Sequence, residues 1–207
     1  MAQSSAYDWK AERKTGMTVI GVSLTINLVL WFALRRLIPP LAGMQSLDAR
    51  MLVALKCVAV ATLYCLVAGI EAVAHERLQG AAFDPLAGHE TRRLRVNSRY
   101  LQNTLEQLIT FAVGLFGLAA YLTNGDSMRA LPAVTILWII NRFAFWIGYH
   151  RSAAMRGLGA LSLAIGLVML LYVVWRIGGD FAGTGGSIAA VAPFVAIEAV
   201  LFWKTRK

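Results

Sequence analysis

The chain has 207 residues, of which 58% are hydrophobic and 15% are charged, and its mean hydropathy is +0.61. This composition excludes a soluble globular domain of this length and indicates a polytopic membrane protein. The formal net charge of +9 does not indicate nucleic-acid binding, because the basic residues stand at the ends of apolar segments instead of forming one patch. We therefore expect the chain to lie in a lipid bilayer and to bind no nucleic acid.

Six apolar segments predict an all-α fold, a polytopic transmembrane helix bundle. Residues 1–16 are a polar N-terminal tail, and the first span covers residues 17–38, ending before Pro39 and Pro40. The next four spans cover about residues 50–74, 99–122, 130–151 and 158–175, with a long charged loop over residues 75–98. A glycine-rich, flexible connector then leads to a sixth span over residues 187–203, which is marginal in length.

The polar residues inside the first two spans predict packing contacts. Asn27 lies in the middle of the first span, where a hydrogen bond between helices is favoured over a ligand role. Cys57 and Cys65 fall in one apolar segment, so we expect buried thiols and no structural disulfide. Neither the cysteines nor the three histidines have the spacing of metal ligands, and no metal site is expected.

The distribution of basic residues predicts the orientation in the membrane. Six spans place both termini on one side, and most lysines and arginines outside the spans fall on that side. The positive-inside rule makes it the cytoplasmic side. We expect an integral membrane protein with both termini in the cytoplasm.

Ionisable side chains inside the third and fourth spans predict a binding site. Arg99, Asn103 and Glu106 share one helix face, at a depth where lipid cannot satisfy polar groups. Arg142 lies in the fourth span at a similar depth, roughly 10 to 14 Å below the cytoplasmic surface at about 1.5 Å per residue. Because the two spans are joined by a short turn, they should pack antiparallel. The spacing therefore predicts an ion pair between Glu106 and Arg142.

Phe145 and Tyr149 continue the face of Arg142, and Arg156 stands at its mouth. Arginines bind carboxylates and Glu106 can bind an ammonium group, so the pocket suits a small anion with an amine, such as glutathione. A cation or donor near the sulfur lowers the pKa of a thiol, and either Arg156 or Tyr149 can supply it. In the alternative interpretation, the residues form only a charge pair that locks two helices, and surface arginines contact lipid headgroups.

Two longer patterns contain these residues, Arg99-x-x-Gln102-Asn103-Thr104-Leu105-Glu106 and Arg142-x-x-Phe145-x-x-Gly148-Tyr149-x-Arg151-x-x-x-x-Arg156. In this order and separation they resemble the MAPEG family (membrane-associated proteins in eicosanoid and glutathione metabolism), especially its bacterial-type members. The first is similar to the R-x-x-x-N-x-x-E signature of the family's second helix. The second resembles the third helix and following turn of the leukotriene and microsomal prostaglandin synthases.

The resemblance covers residues 50–176 and implies a four-helix MAPEG-like core, with one extra transmembrane helix before it and one after it. It implies a homotrimer in the bacterial inner membrane, with glutathione as co-substrate between neighbouring subunits near the cytoplasmic side. Arg156 would take the place of the thiolate-activating arginine, and Arg77 and Pro85 would come from the adjacent subunit. The residues that would hold glutathione within one subunit are Arg99, Asn103, Glu106, Arg142 and Tyr149.

The chain departs from the family pattern at three positions. Leu101 stands where many members have His or Gln, Phe145 where an aromatic hydrogen-bonding residue is common, and Val96 in the place of an upstream arginine. The resemblance implies a glutathione transferase or peroxidase that conjugates the thiolate to a lipophilic electrophile, with Arg156 as the catalytic residue. The departures and the added helices favour an alternative, a non-catalytic subunit that binds a larger membrane complex. A transporter is not favoured, because the sequence shows no inverted repeat.

Overall fold

A computed structural model describes residues 8–205 of the chain. It is 85% helix, and five helices within these residues are long and apolar enough to cross a membrane. They are α1 (Trp9–Leu37), α2 (Leu47–Arg77), α3 (Arg92–Tyr121), α4 (Ala130–Arg151) and α5 (Leu161–Lys204). The prediction of an all-α membrane helix bundle is confirmed.

Polar side chains set the first residues of three helices. The Asp8 carboxylate accepts hydrogen bonds from two backbone N–H groups in the first turn of α1. The hydroxyls of Ser46 and Thr91 each accept a hydrogen bond from one backbone N–H group, at the starts of α2 and α3. Because of the cap at Asp8, residues 9–16 of the predicted polar tail are helical, whereas residues 1–7 lie outside the described part. Because of the cap at Thr91, α3 begins seven positions before the predicted residue 99, and the loop before it is correspondingly short.

The hydrophobic core lies between α2, α3, α4 and the first part of α5. Phe111 of α3 stacks on Trp138 of α4 with ring centroids 4.7 Å apart, and Met169 of α5 packs against α3 at Gly114. Both cysteine thiols are free and buried on α2, as the sequence predicts, and Cys65 belongs to a π-helical turn over Thr62–Val67. These four segments form the scaffold on which the polar residues of α3 and α4 are placed.

Helix α1 is held against this core by hydrogen bonds from polar side chains in an otherwise apolar interface. The Asn27 and Asn141 amides donate to one another's oxygens, at 2.6 and 3.2 Å, which confirms the predicted hydrogen bond between helices. One turn earlier, the Ser23 hydroxyl donates to the carbonyl of Leu158 at 2.6 Å. Because lipid offers no competing partners, such bonds specify where α1 lies on the core.

Helix α5 doubles back on itself at Ala182 and Gly183. Gly183 has a φ of +59°, a conformation that favours glycine, and beyond it the Ser187 hydroxyl donates to the carbonyl of Trp175 at 2.8 Å. Gly178 and Gly186 meet where the arms cross, with no room for a Cβ atom between them. The predicted flexible connector is therefore wrong for most of its length, because Ala182 and Gly183 make the reversal and the residues on either side of them stay helical. The C-terminal arm, residues 184–204, is largely exposed.

Candidate functional site

The Arg142 side chain is enclosed between α3, α4 and the start of α5, with 0% of the residue exposed. Its Nη1 donates to Asn103 Oδ1 at 2.9 Å and its Nη2 donates to Thr104 Oγ1 at 2.7 Å. The guanidinium carbon lies 5.1 Å from the Tyr100 ring centroid and 4.7 Å from that of Phe145. Arg142 is thus held by neutral oxygens and aromatic faces, and no carboxylate pairs with it within residues 8–205.

The predicted ion pair between Glu106 and Arg142 is wrong. Glu106 is exposed on α3, where its carboxylate accepts a hydrogen bond from Gln102 Nε2 at 3.2 Å. The reason lies in the helical phase: at about 100° per residue, Tyr100 and Thr104 define the side of α3 that faces α4, and Glu106 points well over 90° away from it. Of the predicted site residues Arg99, Asn103 and Glu106, only Asn103, at the edge of both faces, bonds to the guanidinium.

The exposed face of α3 carries a row of connected polar side chains. Arg99 Nη1 donates to Gln102 Oε1 at 3.4 Å, and Gln102 donates in turn to Glu106. Asn103 lies next to Gln102 on α3, and its Oδ1 accepts from buried Gln107 Nε2 at 3.1 Å as well as from Arg142. We call Arg99, Gln102, Asn103 and Glu106 the α3 polar row. Apolar neighbours are exposed on the same side, Leu105 by 49% and Ile109 by 60%, so the row lies at a depth where it needs protein or water as a partner.

A second set of predicted residues forms a stack along α4. The Phe145 and Tyr149 rings meet edge to face with centroids 5.7 Å apart, and the Arg156 guanidinium lies 5.7 Å from the Tyr149 centroid. Arg156 itself is exposed on a 3-10 turn over Met155–Gly159. The structure therefore brings Arg142, Phe145, Tyr149 and Arg156 together in sequence order, and it brings Arg99 and Glu106 to the α3 polar row instead.

The residues expected from an adjacent subunit lie apart from both sets. Arg77 ends α2 and is half-buried, and its Nε is buried without a hydrogen-bond partner. Pro85 is exposed in the loop that follows the 3-10 turn Gly80–Phe83. Within the described chain, no hydrogen bond or ion pair links either residue to the α3 polar row.

Sequence reasoning missed the residues that enclose Arg142 from α3. Tyr100 and Thr104 are both buried, and the Thr104 hydroxyl donates to the Tyr100 carbonyl at 2.7 Å while it accepts from the guanidinium. With Asn97, they are spaced i, i+3 and i+7, which is one helix face. This spacing could have identified them from the sequence. A second polar face on one helix predicts that these residues bond to side chains of a neighbouring helix.

Asn97 anchors a further polar cluster on the cytoplasmic end predicted from the sequence. Its Oδ1 accepts from Trp146 Nε1 at 2.9 Å and lies 3.0 Å from His150 Nε2, and a cavity of about 410 Å³ opens beside them. An ion pair of 2.6 Å between Arg93 and Glu76 borders the cavity. No group of three or more His, Cys, Asp or Glu side chains in the described part is placed to hold a metal ion.

Fold and site together define an integral membrane protein with a helical core that encloses Arg142 and exposes a charged row within a span. The sequence profile of the MAPEG family matches residues 53–178, and the chain belongs to the MAPEG family. The matched residues include most of α2, all of α3 and α4, and most of the first arm of α5.

Two mammalian proteins are similar to the chain. It is 28% identical over 130 residues to transmembrane protein 79 of Bos taurus, an alignment that covers 62% of this chain and 32% of that protein. It is 25% identical over 134 residues to transmembrane protein 79 of Mus musculus, covering 65% of this chain and 33% of that protein. The chain thus spans about a third of the length of these relatives. No solved structure matches the chain.

Proposed function

We propose that the protein is a membrane-embedded glutathione transferase that joins the glutathione thiolate to a lipophilic electrophile. The observation that carries the proposal is the hydrogen bond from buried Arg142 to Asn103 in the exposed α3 polar row. It places the Asn103 amide against a buried cation, on the helix whose exposed face carries Arg99 and Glu106 at a depth where lipid satisfies no charged group. A tripeptide with two carboxylates and one ammonium group has the complementary charges.

Residues of this chain would bind, orient and activate glutathione. Arg99 binds a glutathione carboxylate and Glu106 binds the ammonium group, since both are exposed. Arg142 is enclosed, so it is a positioning residue that orients the Asn103 amide and does not touch the tripeptide. Arg156, beside Tyr149, stabilises the thiolate as the catalytic residue, and Tyr149 donates a hydrogen bond to the sulfur.

We also propose that the active form is a homotrimer. A charged row flanked by exposed leucine and isoleucine needs a protein surface to enclose it, and a neighbouring subunit provides one. That subunit would contribute Arg77 and Pro85, which lie apart from the row in their own chain. The distribution of basic residues supports both termini in the cytoplasm. The bacterial inner membrane remains the proposed location, whereas the similar proteins are mammalian.

Conjugation of a chloronitrobenzene tests this activity directly. The thiolate sulfur attacks the ring carbon, a C–S bond forms, the C–Cl bond breaks and chloride leaves, so product is followed by absorbance. We expect Arg156→Ala to lower turnover about a hundredfold or more, in line with the loss of one charge-stabilising donor, while Arg151→Ala retains it. Both arginines are exposed at the same end of α4, which makes Arg151 a matched control. Turnover by Arg156→Ala equal to that of Arg151→Ala would contradict the assigned role.

A non-catalytic membrane subunit is the second candidate function. It is favoured by Phe145, which stacks on Arg142 and offers no hydrogen bond to a ligand, and by the largely exposed C-terminal arm of α5. This candidate predicts that the purified protein binds no glutathione and copurifies with other membrane proteins at fixed stoichiometry. Glutathione binding with turnover, and purification of the chain alone, would contradict it.

A further inference from the structure

A groove follows one side of α1 where this helix meets the core. Near the first turns of α1 it has a volume of about 460 Å³, and Arg13 and Met17 line it opposite Arg156 and Ala160. Farther along α1 a second cavity of about 320 Å³ continues on the same side. Its lining includes Leu24, Leu28, Trp31, Leu161, Ala164 and Val168.

The two cavities are parts of one stripe. The lining positions on α1 include 13, 17, 20, 24, 28 and 31, each three or four residues after the last, so these six share a helix face. At the start of α5 the lining passes directly from Ala160, the residue before the helix, in the first cavity to Leu161 in the second. From Arg13 to Leu28 the stripe extends about 22 Å at 1.5 Å per residue, which is close to the thickness of one leaflet with its headgroups.

The two ends of the stripe differ in chemistry. The second cavity is lined by apolar side chains except for Asn27, whose amide is already paired with Asn141. At the other end, Arg13 and Arg156 take part in no ion pair within residues 8–205. Glu12 lines the same end, where its carboxylate accepts the backbone N–H of Ala154 at 2.8 Å, and two guanidinium groups with one carboxylate leave a net positive charge there.

We propose that this groove binds one anionic phospholipid. Its phosphate lies at Arg13, since an arginine fork binds phosphate oxygens in pairs, which leaves Arg156 on the opposite wall for the thiolate. Trp9 borders the headgroup, as aromatic residues do at membrane interfaces. One acyl chain lies against Leu28 and Ala164 and fills the space between α1 and α5. The lipid thereby completes the packing of a helix that touches the core along only part of its length, and the proposal does not depend on glutathione chemistry.

Native mass spectrometry of the full chain in detergent, with added phosphatidylglycerol, tests the proposal. We expect one phosphatidylglycerol per chain to be retained, and phosphatidylcholine, which has no net charge, to be retained about tenfold less. Inorganic phosphate in excess should not displace the lipid, because it lacks the acyl chain. Equal retention of the two lipids, or complete displacement by phosphate, would overturn the proposal.

Two pairs of variants locate the lipid. Ala164→Trp fills the apolar cavity, and Leu163→Trp adds the same ring at the neighbouring exposed position. Arg13→Glu reverses a charge at the headgroup end, and Arg95→Glu reverses one on exposed α3. We expect the first member of each pair to lower occupancy about tenfold and the second to leave it unchanged. Equal losses within a pair would overturn the assignment.

Crosslinking keeps the proposal testable if a groove variant fails to fold. A phosphatidylglycerol with a photoreactive group on its acyl chain is irradiated with the wild-type protein, and the labelled peptides are identified. We expect labels within residues 24–31 and 161–168, reduced by excess unlabelled phosphatidylglycerol. Labels spread evenly over the exposed apolar faces of all helices would show that the groove holds no particular lipid.

Discussion

Replacement of Thr104 by valine tests whether a hydroxyl holds the buried arginine. Valine has nearly the same shape, but it removes the oxygen that accepts from Arg142 Nη2 at 2.7 Å and leaves a charged donor enclosed without that partner. A hydrogen bond to a charged group contributes about 1.5 to 3 kcal/mol. For a chain of this size each kcal/mol shifts the melting temperature by roughly 2 to 4 °C, so we expect a drop of about 3 to 12 °C.

The two native cysteines make it possible to follow this unfolding with a thiol-reactive dye. Cys57 and Cys65 are free and buried, so a thiol-reactive fluorescent dye labels them only as the helices separate. Thr110→Val is the matched control, because the Thr110 hydroxyl lies on the same helix and donates to the carbonyl of Gln107 without contacting an arginine. We expect the control to melt within about 2 °C of the wild type.

A double variant separates the lost hydrogen bond from any misfit of valine. The double variant Thr104→Val, Arg142→Met removes both the enclosed charge and the donor that valine leaves unpaired. Its melting temperature should therefore be higher than that of Thr104→Val alone. Equal melting temperatures for Thr104→Val and Thr110→Val would refute the reasoning. A double variant less stable than either single one would show that the cation itself stabilises the core.

Three other predictions concern separate parts of the fold. Asn27→Leu and Asn141→Leu should show a coupling of about 1 kcal/mol in a double-mutant cycle followed by the same dye, since each amide is the other's partner. Gly186→Ala should expose the C-terminal arm to chymotrypsin in detergent, because a Cβ there overlaps a backbone oxygen, whereas Gly185→Ala, with open space around it, should not. Glu106→Gln should leave the melting temperature within about 2 °C of the wild type, because the carboxylate is exposed and pairs with no cation in the described part.

Each of these has an outcome that contradicts it. Additive effects of the two asparagine variants would mean that the amides do not bond in solution. Equal cleavage of the two glycine variants would place the contact between the arms elsewhere. A large loss of stability in Glu106→Gln would restore the ion pair that the sequence predicts.

The spans and the buried thiols were predictable because they depend on local composition. Eighteen or more apolar residues in a row need a membrane, and Asn27 within such a run needs an amide or carbonyl on a neighbouring helix. Both expectations depend on the chemistry of one segment. They hold whatever the detailed arrangement of the other helices.

The partner of Arg142 was not predictable from depth alone. Glu106 and Arg142 stand at similar depths, yet a pair also requires that both helices turn the right faces toward each other. Tyr100 and Thr104 are buried against α4, and this fixes the rotation of α3 and directs Glu106 outward. The choice between two polar faces of one helix depends on packing with α2 and α4, which a single sequence does not specify.

The reversal in α5 was also beyond sequence reasoning. A run of glycines predicts flexibility, because glycine loses the most conformational freedom on folding. In the structure, one glycine takes the left-handed conformation and others allow the two arms to touch, so the same residues build a tight helical hairpin. Ser187, which bonds to the carbonyl of Trp175, completes it.

Calorimetric titration of the purified protein with glutathione tests the central claim most directly, that the α3 polar row receives this tripeptide. The wild type is predicted to bind one glutathione per subunit, and Arg99→Gln and Glu106→Gln to weaken binding about tenfold or more, each through loss of a charged contact of about 1.4 kcal/mol. Arg95→Gln, a change at an exposed position one turn before Arg99, is predicted to bind as the wild type does. A folded wild type that releases no heat with glutathione, or equal affinities in all four proteins, would contradict the claim.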